Sequence, residues 1–287
     1  MKQKNPHVHL DLYGYPGAGK STFASTFDVC GPGFVAAFDG IGKTGPFHRR
    51  GDAIKRGETD NGIPFDDISY KGDLMWRVAY YTDADPEKPD AYALFRTEIR
   101  LFDPSKWGTF VLDSLTSMAL SSYLEQRFVI NKSDEGKYDD KKSLKWRSAM
   151  TDQLEFQLCR RFVSYECNVI VIAHVEEKEV TVPSKDGPVK VSKKVEVADE
   201  SEDGRIQVVR TISAPGRLSK RSIVASQFGE TYRAYVQRTK DGKRHWLLQT
   251  QPDNDWNAAT QFDAPDPCEP TYEAIWKNHK NRKPNRS

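Results

Sequence analysis

The sequence predicts an α/β fold: a mainly parallel β-sheet flanked by helices, with a β-rich C-terminal part. Apolar runs of strand length, among them Phe34 to Phe38, Thr109 to Asp113 and Asn168 to Ala173, alternate with stretches of helical periodicity, and that order produces parallel strands buried on both faces. Beyond Val175 the pattern changes to apolar residues at every second position, interrupted by turn signals, as in hairpins. A glycine-rich junction joins the first strand to the first helix, at the carboxyl strand ends where such sheets bind ligands.

That junction lies within Val8 to Phe27, VHLDLYGYPGAGKSTFASTF. Val8, Leu10 and Leu12 make a short strand, and Phe23, Ala24 and Phe27 give the following helix one apolar face. Between them Gly14, Gly19, Lys20 and Ser21 complete the pattern G-x-x-x-x-G-K-[ST]. In that pattern backbone N–H groups cradle phosphates, the lysine reaches their outer oxygens and the hydroxyl holds Mg²⁺; Cβ atoms at the glycines would block the approach. The bland alternative is a glycine-rich turn between a strand and a helix, and the flanking patterns favour the phosphate site. His9 and Asp11 alternate with the apolar residues, although a strand buried on both faces is usually apolar throughout.

Gly31-Pro32-Gly33 ends the first helix, and the strand Phe34 to Phe38 closes on Asp39. From Gly40 to Asp73 the chain is rich in Gly, Asp and Arg and lacks periodicity, which predicts an irregular surface insertion. Val78 to Tyr81 reads as a strand and Pro89 to Phe102 as a helix, with Tyr92, Phe95, Ile99 and Phe102 on its apolar face. Thr109 to Ser114, TFVLDS, is an apolar strand closed by an acid and a hydroxyl. In a phosphate-loop protein that acid, here Asp113, positions Mg²⁺; the alternative is an Asp cap on the next helix, Leu115 to Ile130. Ser143 to Glu166 is the clearest amphipathic helix, with Trp146, Met150, Leu154, Leu158 and Phe162 at four-residue steps. The apolar strand Asn168 to Ala173 ends at His174.

In the β-patterned part, Val180 and Val182, Val189 and Val191, and Val195 and Val197 suggest ribbons around the turn Lys185 to Pro188. Ile206 to Ile212, Thr231 to Val236 and Trp246 to Leu248 read as further strands, with Lys240-Asp241-Gly242-Lys243 as a hairpin turn. The stretch 263–287 holds Pro, Asp and then basic residues, a loosely ordered basic tail.

With 43 Lys and Arg against 41 Asp and Glu, the 287-residue chain is nearly neutral, so only the distribution of charge can point to a partner. From Arg210 to Arg244 there are nine basic residues against Glu230 and Asp241 alone, which is either a solvated face or a nucleic-acid surface. The DNA-contact candidates are Arg210, Arg238, Lys240, Lys243 and Arg244, joined by Lys190, Lys193 and Lys194 near the earlier turn. Trp246 and Tyr235 are candidates for base stacking, with core packing as the alternative. The four cysteines form no C-x-x-C pair and read as reduced packing residues. No apolar run reaches membrane-span length and the start, MKQKNPHVHL, lacks a signal-peptide core. The expectation is a soluble, cytoplasmic protein with no membrane partner.

GYPGAGKST, FVLDSLTSM, VIVIAHVEEK and APGRLSKRSIVASQFGETYRAYV followed by LLQTQPD resemble, in their order, the phage RecA-like ATPases of the single-strand annealing and recombination type. The resemblance covers about His9 to Phe262. It implies a RecA-like P-loop NTPase domain over 1–262, in which 176–210 is the DNA-contacting loop, working in the cytoplasm of a host cell. It implies ATP and Mg²⁺ as cofactors, held by Gly14, Gly17, Ala18, Gly19, Lys20, Ser21 and Thr22, with Asp113 on the metal and water and His174 as a sensor of the γ-phosphate, the alternative for His174 being a plain strand-end histidine. It implies single-stranded DNA as partner, together with a homo-oligomeric ring or filament and a single-strand-binding protein. RecA-type enzymes carry a glutamate two residues after an aspartate at the end of the second strand, whereas Phe38-Asp39-Gly40-Ile41 puts isoleucine there. Either Asp39 activates water or hydrolysis is slow. Nucleotide at a subunit boundary would take a cation in trans, from Arg217, Lys220 or Arg221, unless these belong to a solvated face. Two other classes stay open: a P-loop nucleotide or small-molecule kinase, and a non-hydrolysing, nucleotide-dependent DNA-binding accessory protein.

Overall fold

The apolar runs become neighbouring parallel strands of one sheet. A computed structural model describes residues 7–130, 160–181, 206–212, 228–253, 258–261 and 264–279. Among these the strands are β1 (His9–Gly14), β2 (Gly33–Ala37), β3 (Ala53–Glu58), β4 (Pro64–Tyr70), β5 (Asp73–Tyr80), β6 (Thr109–Asp113), β7 (Asn168–Thr181), β8 (Ile206–Ile212), β9 (Glu230–Arg238) and β10 (Arg244–Gln249). The sheet runs β10-β9-β1-β7-β6-β2-β5-β4-β3. From β9 through β5 every pairing is parallel, and β10, β4 and β3 add antiparallel edges. Helices cover both faces of a mostly parallel sheet, the arrangement expected of this α/β pattern.

Burial shows why. On one face Phe23, Ala24 and Phe27 of α1 (Lys20–Ser25) and its 3₁₀ continuation pack with Leu10, Leu12, Val35, Val111 and Ile170. On the other, α3 (Ala91–Leu101) inserts Tyr92, Phe95 and Ile99, and α4 (Leu115–Glu125) inserts Leu115 and Met118, against Ala36, Phe110, Leu112, Val169 and Val171. Strand residues therefore alternate between two cores, which is why these strands read as continuous apolar runs. His9 and Asp11 are the exceptions on β1. His9 Nε2 lies 3.1 and 3.2 Å from the carbonyls of Tyr165 and Cys167. Asp11 is fully buried, and neither of its carboxylate oxygens has a hydrogen-bond partner among the described residues.

Several expectations need correction. Gly40 to Asp73 is not an irregular insertion: it contains the short helix α2 (Gly45–His48) and the strands β3 and β4, which extend the sheet by an antiparallel meander. Its period-two signal was hidden because the inward positions of β4 are Asp66 and Ile68, while β3 is exposed along nearly its whole length. Asp66 is satisfied by Tyr80, whose hydroxyl donates at 2.8 Å, and by His48 at 2.9 Å. The strand read at Val78 to Tyr81 begins at Asp73, because the buried Trp76 continues the inward face. The helix from Leu115 loosens into a π-helical turn at Gln126–Ile130. Of the long helix read over Ser143 to Glu166, only its end is described, and it stops at Phe162. Lys185 to Pro188 and the valine pairs beyond Val182 lie outside the described residues. The stretch from Asp263, expected to be loosely ordered, contains a helix at Tyr272–His279, whose Ile275 and Trp276 are buried while Tyr272 meets Phe27 ring to ring at 4.9 Å. Four apolar residues in five, Tyr272, Ala274, Ile275 and Trp276, are enough to dock a helix that composition alone hides.

Candidate nucleotide site

The loop after β1 is shaped by its glycines. A Cβ on Gly14 would lie 2.3 Å from the carbonyl oxygen of Ala234 on β9, so the neighbouring backbone excludes any side chain there. Gly17 and Gly19 hold φ of +79° and +84°, the left-handed region that L side chains rarely enter. The chain then turns into α1, and 16–22 line a cleft of about 730 Å³ at the carboxyl ends of the parallel strands. That size falls in the range of about 300–1,000 Å³ common for small-molecule sites.

Four further segments meet the loop. Asp39 follows β2, Asp113 ends β6, His174 follows Ala173 on β7, and Trp246 comes from β10; all four line the cleft. Lys20 is almost fully buried, with Nζ donating to the carbonyls of Gly14 at 2.7 Å and Tyr15 at 2.9 Å. Burial pushes its pKa down to about 8, against the pull of Asp113 and Asp39. Ser21 Oγ donates to Asp113 Oδ2 at 2.7 Å. Burial pushes Asp113 up to about 6, opposed by that bond and reinforced by the charge of Asp39. A hydroxyl and a carboxylate side by side are hard oxygen donors and fit a divalent cation that takes one or two protein ligands. The cap of α4 is Ser114, which accepts from the Ser117 amide. The alternative role for Asp113, a helix cap, is thereby taken by its neighbour.

Asp39 is the most heavily bonded group in the cleft. Its Oδ1 accepts from Ser114 Oγ at 2.8 Å and from Ser117 Oγ, and its Oδ2 from His174 Nε2 at 3.1 Å and Lys43 Nζ at 3.4 Å. Burial works against its charge, but the bonds from His174, Ser117 and Ser114 outweigh it and hold Asp39 well below the usual carboxylate range. His174 Nδ1 stands 3.3 Å from Lys20 Nζ. Since an ammonium only donates, Nδ1 is the acceptor and Nε2 carries the proton shared with Asp39.

Of the residues singled out in the sequence, Gly17, Ala18, Gly19, Lys20, Ser21, Thr22, Asp39, Asp113 and His174 line one cleft. Gly14 supports the loop from behind. Arg238, Lys240, Lys243 and Arg244 sit exposed around the β9–β10 turn, which closes through Thr239 N donating to Lys243 O at 2.9 Å. Arg210 lies on β8, in register with Glu177 of β7. Lys190, Lys193, Lys194, Arg217, Lys220 and Arg221 lie outside the described residues. Sequence reasoning missed Lys43, because it falls in the stretch read as irregular, and gave Ser114 and Ser117 no role beside Asp39. The S-x-x-S spacing at the start of α4 is the signal that could have found the last two.

No protein-family model matches the chain, and no curated protein sequence does. Among solved structures it is similar to a KaiC-like protein from the hyperthermophilic archaeon Pyrococcus horikoshii, at 13% identity and a TM-score of 0.38, over 88% of this chain and 83% of that one. Among the described residues no helix is long and apolar enough to cross a membrane.

Proposed function

We propose that this chain is a RecA-like ATPase that binds ATP with Mg²⁺, hydrolyses it, and acts on single-stranded DNA in annealing or strand pairing. The observation that carries the nucleotide part is the convergence of Lys20, Ser21, Asp113, Asp39 and His174 in one cleft. Lys20 neutralises the outer phosphate oxygens, for which it exchanges its two loop carbonyls. Ser21 and Asp113 would hold Mg²⁺, which would supply charge neutralisation to the phosphates. Asp39 orients the attacking water rather than keeping its proton, because a carboxylate held so far down is a weak base. His174 ties that carboxylate to Lys20 and begins the continuation of β7 beyond the sheet, towards β8. Isoleucine stands at position 41, where RecA-type enzymes carry a glutamate, so either Asp39 supplies that function or hydrolysis is slow.

The DNA part is supported by the β9–β10 hairpin. Residues 237–246 are all exposed and hold Arg238, Lys240, Lys243 and Arg244 against Asp241 alone. Arg238 and Arg244 face each other directly in the ladder, an arrangement that costs stability unless anions lie near. Assembly into a homo-oligomer, with Arg217, Lys220 or Arg221 reaching a neighbour's nucleotide, and contact with a single-strand-binding protein belong to the same proposal. Phosphate release measured with and without single-stranded DNA tests it. Turnover that is low alone and rises with DNA is expected; phosphate transfer only to a small-molecule acceptor would make the chain a kinase instead.

A further inference from the structure

Trp246 is the one large aromatic side chain lining the cleft among the described residues. It belongs to the edge strand β10, in the part of that strand whose neighbours Arg244 and His245 lie in solvent. The indole itself is seated on the phosphate loop: Nε1 donates to the carbonyl of Gly17 at 3.4 Å, and a Cβ on Gly19 would come within 2.9 Å of its Cδ1. Gly19 therefore does two things, taking up its left-handed conformation and leaving room for the ring. With 45% of its surface still exposed, the indole has its only polar atom occupied by the loop and offers apolar ring to the space beside it.

The cleft has two kinds of lining. Lys20, Ser21, Asp39 and Asp113 suit phosphates and a cation, whereas Trp246 suits a flat ring with little charge. We propose that Trp246 stacks on the base of the bound nucleoside triphosphate, which makes the basic β9–β10 hairpin a part of the nucleotide site. This rests on the nucleotide-binding reading above. Seating on the phosphate loop favours the base of that nucleotide over a base of the DNA strand, which the hairpin would meet at its exposed tip.

The test compares Mg–ATP with inorganic tripolyphosphate, which has the phosphates and no base, on the wild type, Trp246→Ala and Trp246→Phe, with thermal melts to verify folding. Trp246→Ala should weaken ATP binding roughly tenfold or more, as loss of a base–aromatic stack does. It should leave tripolyphosphate within about twofold, and Trp246→Phe should recover most of the ATP affinity. Equal weakening of both ligands would mean that the indole only shapes the loop, and unchanged ATP affinity, with or without a loss of DNA binding, would also overturn the proposal. A wild type that binds neither ligand would sink the phosphate-site reading itself, a result distinct from either of these.

Discussion

His174 Nε2 donates to Asp39 Oδ2 at 3.1 Å, while the other nitrogen of the same ring accepts from Lys20 Nζ at 3.3 Å. One imidazole thus links the phosphate-binding cation to the carboxylate at the end of the second strand. Both contacts fix the tautomer, and the ring can respond to whatever draws Lys20 away.

The first expectation concerns that link. Asp39→Asn keeps an oxygen that can accept from Ser114 and Ser117, and removes the charge together with the acceptor that His174 and Lys43 use. Turnover should fall roughly a hundredfold or more while ATP affinity changes little, since the group acts on water and not on the ground-state phosphates. Single-turnover kinetics and calorimetric binding separate the two effects. Normal turnover would place the water-orienting group elsewhere.

Asp11 makes a separate, pH-dependent prediction. Burial raises its pKa from 3.8 to about 7, so the folded chain keeps a proton that the unfolded chain gives up. A raised folded-state value contributes stability that is full below the unfolded pKa and is lost as pH rises through the folded one. This contribution should therefore be present near pH 4 and gone by about pH 8. Asp11→Asn cannot ionise and should raise the melting temperature at pH 8 by several degrees, with a smaller gain at pH 5. Melting curves at both pH values decide it, and an equal change at the two would show that charge at Asp11 is not the cause.

The hairpin yields a third. Lys243 is held by Asp241 at 3.2 Å, so Lys240 and Arg244 are the better candidates for direct phosphate contact. Replacing both by serine should make the log–log salt dependence of oligo-deoxythymidine binding shallower by about 0.7 per lost contact. Fluorescence anisotropy over a salt series measures this. An unchanged slope would assign those charges to a solvated face.

Much of this was legible in the sequence because the relevant signals are local. The phosphate loop is one continuous stretch, and Phe34 to Phe38, Thr109 to Asp113 and Asn168 to Ala173 are buried on both faces, so hydrophobicity alone finds them. The three strands deliver Asp39, Asp113 and His174 to one end of the sheet by parallel register, which follows once the strands are recognised. What could not be read depends on distant partners. Asp66 looks like a loop residue until Tyr80 and His48 are seen bonding it, and the edge strand β3 has no buried face to announce it. Lys43 reaches Asp39 only because the turn Ile41–Lys43 carries it back over the end of β2. Trp246 lies 227 residues beyond Gly19, so no local pattern could place its indole on the loop.

Binding of ATP phosphates in this cleft is measured by isothermal calorimetry of Mg–ATP against the wild type and Lys20→Ala. Removing the ammonium deletes the cleft's phosphate-facing point charge and takes a donor from the carbonyls of Gly14 and Tyr15, so melting curves of both proteins accompany the titration to establish that the variant is folded. Saturable binding to the wild type is expected, with none detectable to the variant at the same concentrations. Equal ATP affinity in two equally folded proteins would contradict it.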